Sequence, residues 1–471
     1  MRTLRMIALS AFLLAVALPA WGRVFLEWTE PAVPSAASIG VENLVVPWSP
    51  GKIAVMKAAK EHGFRVFVRA NAQDAAAAAD AAAANGLAGV IVESGSDQPV
   101  PRELLEKLRR SHAGLSVLEM DGGGKQPQIE GNLVVKRHGV LQVSSPTRQP
   151  WIDSNVALVR FERAAQPGET PLFSFKWDLV DPVEREQGPG AKDYALAVAE
   201  AGAMGADVVF PVHPNLQKRL ASGDKAAWSE WDQVKRFFTF YSKANAHQKE
   251  PLADAALITG DYEDAFETMN LLARHNITFR VLLPTKVTTQ QLSGSQLAVV
   301  LSRPDAAATG ALQAFAQEGG TVLLVYQPGP FPWDKLPAVK TSEGTSYKVG
   351  RGEIIERSQP IDNPDEFAGK VRDLLRRQGP LIYLWNAITT LSFAYRQPGG
   401  MMLELVNYAQ EPLQVQVRVK GSFPNVRYET PEHGFYPAVT PEIENGFTQF
   451  VVSHLAIGAR VYLKAKDGQV K

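Results

Sequence analysis

The stretch from Val24 to Phe210 repeats one pattern that few folds accommodate. Eight short β-branched or aromatic runs recur, at Val24 to Trp28, Asn43 to Val46, Arg65 to Val68, Gly89 to Val92, Leu115 to Leu118, Val140 to Val143, Pro171 to Phe175 and Asp207 to Phe210. Most are separated by stretches of helical character, clearest at Lys52 to Glu61, the alanine-rich Ala75 to Ala84, Arg102 to Arg110, Asn155 to Ala164 and Ala191 to Met204. Strands this continuously apolar belong to a parallel sheet covered on both faces, because each crossover lays its helix on the sheet. Eight such units close into a (β/α)8, TIM-like barrel. A doubly wound open sheet is the alternative, since periodicity does not report closure and the crossovers after the first and fifth runs are weak.

The remainder of the chain changes pattern twice. Ser222 to Ala244 is helical, and its Trp228, Trp231, Phe237, Phe238 and Tyr241 read as core packing. A small doubly wound α/β unit follows, with strands Ala256 to Thr259, Phe279 to Leu283, Leu297 to Leu301 and Thr321 to Tyr326 and helices Glu263 to His275 and Ala306 to Glu318. Pro328 to Pro360, rich in Pro, Gly and Ser, reads as loops and a hairpin, before a helix at Asp365 to Arg377. Beyond Pro380 the runs Met402 to Tyr408, Leu413 to Val419, Val426 to Thr430, Phe447 to Ser453 and Ala459 to Leu463 alternate with a period of two, as in an antiparallel β-sandwich. The boundaries read as a signal peptide at 1–22, a barrel at 23–250, an α/β domain at 251–379 and a sandwich at 380–471.

Composition narrows the function. Arg2 and Arg5 precede an apolar run from Met6 to Ala20 that ends in small residues, the form of a signal peptide, so the mature chain is expected to be exported, to the periplasm or beyond. The run is shorter than the about 20 residues of a comfortable span, and no stable membrane insertion is expected. There is no cysteine, which excludes disulfides, a thiol nucleophile and a lipid anchor on cysteine. Lys+Arg and Asp+Glu balance at 49 each, leaving no overall field for nucleic acid and favouring a neutral partner. The 8 histidines show no metal-ligand spacing, and neither Gly122-Gly123-Gly124-Lys125 nor Gly188-Pro189-Gly190-Ala191-Lys192 has Walker spacing. No metal or cofactor is therefore expected, and without a Gly-x-Ser-x-Gly elbow an esterase is not expected either.

A barrel, a small doubly wound domain and a sandwich in this order resemble the β-galactosidase type of glycoside hydrolase that carries an amidotransferase-like trimerisation domain. Here the turns after the first and third strands of the middle domain hold Gly260-Asp261 and Ser302-Arg303 but no thiol, so amidotransfer is excluded. The strand ending Asn407-Tyr408, followed by one ending near Gly421, is similar to the C-terminal sandwich of such enzymes. The resemblance implies a carbohydrate substrate and a homo-oligomer formed through the middle domain. The barrel departs from the group in having no Asn-Glu pair at a strand end.

Barrel active sites lie at the C-terminal ends of strands, which makes candidates of Glu27, Glu93, Glu119, Asp121 and Asp178. Glycoside hydrolysis takes two carboxyl groups flanking the scissile bond. In the group resembled, the acid follows strand four and the nucleophile strand seven, and those places hold Glu93 and Asp178. Glu93 ends an apolar strand whose walls would raise its pKa, or it merely ends a capped strand. Asp178 follows Lys176 and Trp177, whose ring could stack on a sugar, or it caps a helix or turn. Glu27, Glu119, Asp121 and Asp153 are alternative acids, with Glu119 and Asp121 placed at the end of strand five before three glycines. Trp28, Trp151, Asn155, Trp177 and His213 are candidate sugar-binding residues, although Asp153 or Ser154 could equally cap the helix that starts near Asn155.

Two readings follow. The first is an exported glycosidase acting on a neutral glycan through two carboxylates. The second is a barrel without chemistry that binds carbohydrate or scaffolds a partner.

Overall fold

The computed structural model describes residues 22–94, 100–130, 135–137, 140–142, 151–179, 182–243, 250–341, 344–436 and 439–465. The expected signal peptide lies almost wholly outside the described residues.

The first strands are β1 (Val24–Glu27), β2 (Asn43–Pro47), β3 (Arg65–Asn71), β4 (Gly89–Glu93) and β5 (Ser116–Lys125). An excursion then pairs β6 (Gln128–Glu130) with β9 (Trp151–Asp153) and β7 (Val135–Arg137) with β8 (Val140–Gln142), before β10 (Leu172–Lys176) and β11 (Asp207–Pro211) return to the sheet. Strands β1 to β5, β10 and β11 form a closed parallel barrel, with β11 pairing along β1. The closure expected from the sequence is present, but among the described residues the barrel has seven strands and not eight. The run expected as the sixth strand is instead β8, one arm of an antiparallel hairpin outside the barrel, and Val143 lies outside the described residues. Three apolar residues suit a hairpin as well as a buried strand, and only the partner distinguishes them.

The helices α1 (Ala36–Ile39), α2 (Ile53–Glu61), α3 (Ala75–Ala84), α4 (Arg102–Ser111), α5 (Val156–Ala165), α6 (Pro182–Gln187), α7 (Ala191–Met204), α8 (Pro214–Ala221) and α9 (Lys225–Lys243) belong to this first part of the chain. In α3 the buried residues Ala75, Ala78, Ala79 and Ala82 recur at the spacing of one helix face, and small side chains let the helix lie close to the strands. Of the aromatics expected to pack in the core, Trp231, Phe237, Phe238 and Tyr241 are buried in α9, and Trp228 is partly buried against the same cluster.

Inside the barrel one cluster takes a single residue from each strand: Phe25, Val45, Phe67, Ile91, Met120, Leu172 and Val209. Side chains alternate along a strand, so the next inward position is two residues on. Those positions are Glu27, Pro47, Arg69, Glu93, Gly122, Ser174 and Pro211. The apolar plug therefore becomes the floor of a polar mouth.

The chain continues through β12 (Glu250–Pro251), β13 (Ala255–Ile258), α10 (Phe266–Arg274), β14 (Phe279–Leu282), α11 (Thr289–Leu292), β15 (Leu297–Val300), α12 (Ala306–Gln317), β16 (Thr321–Val325), β17 (Ala338–Thr341), β18 (Gly344–Val349), β19 (Gly352–Arg357) and α13 (Pro364–Arg376). The order β14-β13-β15-β16-β19 is parallel, and β18 and β17 extend it antiparallel. The Pro- and Gly-rich stretch thus holds a hairpin, as expected, and in addition β19, the fifth parallel strand.

Two antiparallel sheets close the molecule. One has the order β12-β21-β22-β28-β24-β25, with β21 (Thr390–Gln397), β22 (Gly400–Asn407), β24 (Asn425–Thr430), β25 (Gly434–Phe435) and β28 (Gly458–Lys464); the other pairs β20 (Ile382–Trp385), β23 (Leu413–Lys420), β27 (Phe447–Leu455) and β26 (Glu442–Glu444). They share a core that includes Leu403, Val417 and Phe450.

The barrel seam is held by an ion pair. Asp207, fully buried at the start of β11, accepts the Arg23 backbone N–H at 2.6 Å and Arg23 Nε and Nη2 at 2.9 and 2.6 Å. Removing the buried carboxylate leaves its donors unmatched, so Asp207→Ala is expected to destabilise the protein by about 3 kcal/mol. Urea unfolding followed by tryptophan fluorescence reads this loss, and Asp207→Asn, which keeps an acceptor, should lose less.

Candidate active site at the barrel mouth

A cavity of 470 Å³ opens at the C-terminal end of the barrel, lined by Glu27, Thr29, Arg69, Glu93, Gly122, Ser174, Phe175, Lys176, Trp177, Leu179, Arg185, Pro211, Val212, His213 and Pro214. Six of the seven inward positions of the layer above the plug line it, Pro47 being the exception. Arg69 stands between the two carboxylates, with Nη2 3.3 Å from Glu27 Oε1 and Nη1 3.5 Å from Glu93 Oε2. Glu27 is the more enclosed, at 14 % side-chain exposure against 34 % for Glu93. Burial pushes the Glu27 carboxyl above its ordinary range; Arg69 pulls against this, Glu93 adds to it, and Lys52 pulls against it. A carboxyl raised by burial beside a second carboxyl group at the same mouth is a pairing suited to acid and base roles.

The glycines after Asp121 serve this site. The sequence places Glu119 and Asp121 at the end of strand five, whereas β5 runs on through all three glycines to Lys125. A side chain at Gly122 would meet Glu93 Oε1 at 2.6 Å, and one at Gly124 would meet the Ser174 carbonyl oxygen at 2.6 Å. Glycine here clears room for Glu93 and lets β10 approach.

Trp177 and His213 are brought to the same cavity. The Trp177 indole donates to the Pro211 carbonyl at 2.6 Å and is held edge-on between Phe175 and Tyr194, with ring centroids 5.0 and 5.1 Å away. His213 caps α8, its Nδ1 accepting the Asn215 N–H at 3.3 Å, while Nε2 lies 3.1 Å from the Arg185 carbonyl oxygen. Asp178 is not brought in. It is exposed, does not line the cavity, and its backbone N–H donates to Gln126 Oε1 at 3.1 Å. With β8 outside the barrel, the strand before Asp178 is the sixth around it, so the place assigned by counting to seven no longer applies.

Trp28, Glu119, Asp121 and Asp153 do not line the mouth. Trp28 is fully buried among the packing around the barrel, its indole donating to the Ala32 carbonyl, so it offers no ring to a ligand. Glu119 points outward into a separate 280 Å³ cavity beside Arg102, Arg109 and Lys286, accepting from Gln166 Nε2 at 3.1 Å. Asp121, on the same outward register, stands near Glu162, whose carboxyl is pushed up to about 7 by burial and then by Asp121 and Glu119. Asp153 faces Lys125, with Nζ 3.5 Å from Oδ2, and Trp151 lies on β9 opposite Glu130, its side chain outside what is described.

Asn155 is buried and structural. Its Oδ1 accepts the Lys125 N–H at 2.7 Å, and its Nδ2 donates to the Lys125 carbonyl at 2.6 Å and to Glu200 Oε2 at 2.8 Å. Tyr408 of the sandwich donates to the other oxygen of Glu200 at 2.6 Å.

Arg69, Ser174, Lys176 and Arg185 were not among the sequence candidates. The signal for Arg69 was a cation two residues beyond an inward phenylalanine in an apolar strand, and for Lys176 the same register on β10. Among the described residues no group of three or more His, Asp or Glu could hold a metal ion, and no helix is long and apolar enough to cross a membrane.

Comparison with solved structures defines the class of fold. The chain is similar to alpha-L-fucosidase isoenzyme 2 from Paenibacillus thiaminolyticus, at 12% identity over 95% of this chain and 100% of that one, with a TM-score of 0.59. It is also similar to the cold-adapted beta-galactosidase from Rahnella sp. R3, at 10% identity over 93% of this chain and 99% of that one, with a TM-score of 0.56. The fold is that of these glycoside hydrolases, a closed parallel barrel followed by antiparallel sheets in the C-terminal region. No family model and no curated protein matches the sequence.

The Glu200 network generates a prediction of its own. Burial pushes this carboxyl from 4.5 up to about 7, against the hydrogen bonds from Tyr408 and Asn155. A raised carboxyl favours folding most at low pH, and this contribution is lost as pH rises from 4.5 through about 7. Glu200→Gln should flatten the stability–pH curve across that window, by an amplitude on the order of 3 kcal/mol. Urea midpoints measured at several pH values check it.

Proposed function

We propose that the protein is an exported glycoside hydrolase in which Glu27 acts as the acid and Glu93 as the nucleophile or the base for water. One observation carries this reading: two carboxyl groups from different strands face one cavity at the C-terminal mouth, and burial raises one while an arginine stands against both. Trp177, fixed in orientation, supplies a face for a sugar ring, and Thr29 and Ser174 supply hydroxyls. The fold shared with glycoside hydrolases supports the reaction class without identifying the sugar. Glu27 replaces Asp178 as the partner of Glu93 because it shares the cavity and Asp178 does not.

A second reading, a carbohydrate-binding barrel without turnover, is favoured by Arg69 engaging both carboxylates at once. Oligomerisation through the middle domain is likewise a proposal. Its exposed large apolar residues among those described, Tyr326, Leu336 and Val339, lie at a strand end and along the β17 edge, not on its helices.

A panel of nitrophenyl glycosides separates the two readings. Under the hydrolase reading Glu27→Gln and Glu93→Gln each lower kcat/KM by about 100-fold or more with the circular dichroism spectrum unchanged. Turnover that survives both substitutions, or a wild type that binds without cleaving, would instead support the binding protein.

A further inference from the structure

The charge of the mouth differs from that of the chain. Lys+Arg and Asp+Glu cancel over the whole sequence, yet the cavity sets Arg69, Lys176 and Arg185 against Glu27 and Glu93. Lys52 also stands close enough to Glu27 to act on its titration. Arg69 offsets one of the two carboxylates, so the three cations and two acids lining the mouth leave an excess of positive charge, and among the described residues the cations not engaged with an acid are Lys176 and Arg185.

Lys176 reaches the mouth as the inward residue four beyond Leu172 of the plug. Among the described residues its ammonium has no hydrogen-bond or ion-pair partner. Arg185 donates Nε to the Leu179 carbonyl at 2.9 Å, and its terminal nitrogens have no described partner. Trp177 lines the same wall. Cations in a cleft with low-dielectric walls focus their field on whatever enters it, and a guanidinium presents a planar fork that matches an oxyanion.

We infer that the sugar bound at this mouth carries an anionic substituent, a carboxylate or a sulfate, held by Lys176 and Arg185 while Glu27 and Glu93 face the glycosidic bond. The inference rests on the reading of the cavity as a sugar site and narrows its substrate class. It departs from the neutral glycan expected from the balanced composition, because a ligand senses the charges within a Debye length or so and not the sum over the chain.

The test reads binding and not turnover, which keeps it separate from the catalytic reading. Titration calorimetry on the Glu93→Gln protein compares nitrophenyl glucuronide and galacturonide, nitrophenyl galactoside 6-sulfate, and the neutral glucoside and galactoside. At least one anionic probe is expected to bind about tenfold or more tightly than its neutral counterpart, with the advantage shrinking as salt is raised. Which anionic probe is preferred distinguishes carboxylate from sulfate. Lys176→Met should lower the affinity for that probe about tenfold, and Lys176→Arg should recover most of it. Neutral probes binding as well as anionic ones, no probe binding, or a preference that survives Lys176→Met combined with Arg185→Met would overturn the inference. Cleavage of neutral glycosides by the wild type alongside such a result would leave the hydrolase reading standing, whereas tight binding of a uronide that is never cleaved would sustain the anionic site and remove the hydrolase.

Discussion

Closure of the barrel between β1 and β11 is the constraint on which the rest of the molecule depends. Pairing of Val24 with Val208 through Glu27 with Pro211 turns an open sheet into a ring, and the Arg23–Asp207 ion pair stands at the start of that seam. Once the ring is closed, every second residue of each strand points at the same axis. Seven of them form the apolar plug, and the positions two residues on have nowhere to go but the mouth. Polar residues at those positions are tolerated because they lie above the plug and reach a cavity, where hydrogen bonding and water offset the cost of enclosing charge.

The same alternation explains which acids share a site. Glu27 and Glu93 are in step with Phe25 and Ile91, so they turn inward and meet across Arg69. Glu119 and Asp121 are out of step with Met120 and face α5 and the middle domain. A shift of one residue in a strand is a change of side, which is why position at a strand end is a weaker guide to a barrel site than parity relative to the core.

The sandwich is tied to the barrel through buried polar and aromatic contacts. Tyr408 reaches Glu200 of α7, and Arg460, paired with Glu404 at 2.8 Å, lies 4.3 Å above the Phe240 ring of α9. Glu200 takes partners from both sides, Asn155 and Tyr408, whereas Arg460 finds its acids within the sandwich and meets the barrel side through an aromatic ring, so it is the Glu200 network that specifies how the two pack. Asn155 belongs to this network and holds β5 to α7. An amide near a barrel mouth reads in sequence as a hydroxyl-binding group, and only its two bonds to Lys125 and one to Glu200 show that its capacity is already taken.

Much of the fold was legible because it rests on local pattern. Apolar runs alternating with helices marked the parallel barrel, period-two alternation after Pro380 marked the antiparallel sheets, and Glu27 and Glu93 were two of five carboxylates read at strand ends, where Glu93 was paired with Asp178 and not with Glu27. These features depend on the residues within one segment and on backbone hydrogen bonding that is the same everywhere. What the sequence could not decide was partnership: that Val140–Gln142 pairs with its neighbour instead of entering the barrel, that Trp28 is enclosed and Trp177 is not, and that Arg69 joins Glu27 to Glu93. The ion-paired group comes from the side-by-side parallel pairing of β1 to β4, which turns residues 42 and 24 positions apart in the chain toward one axis. Contacts across such separations are set by the geometry of the whole ring and leave no local trace in the strands that make them.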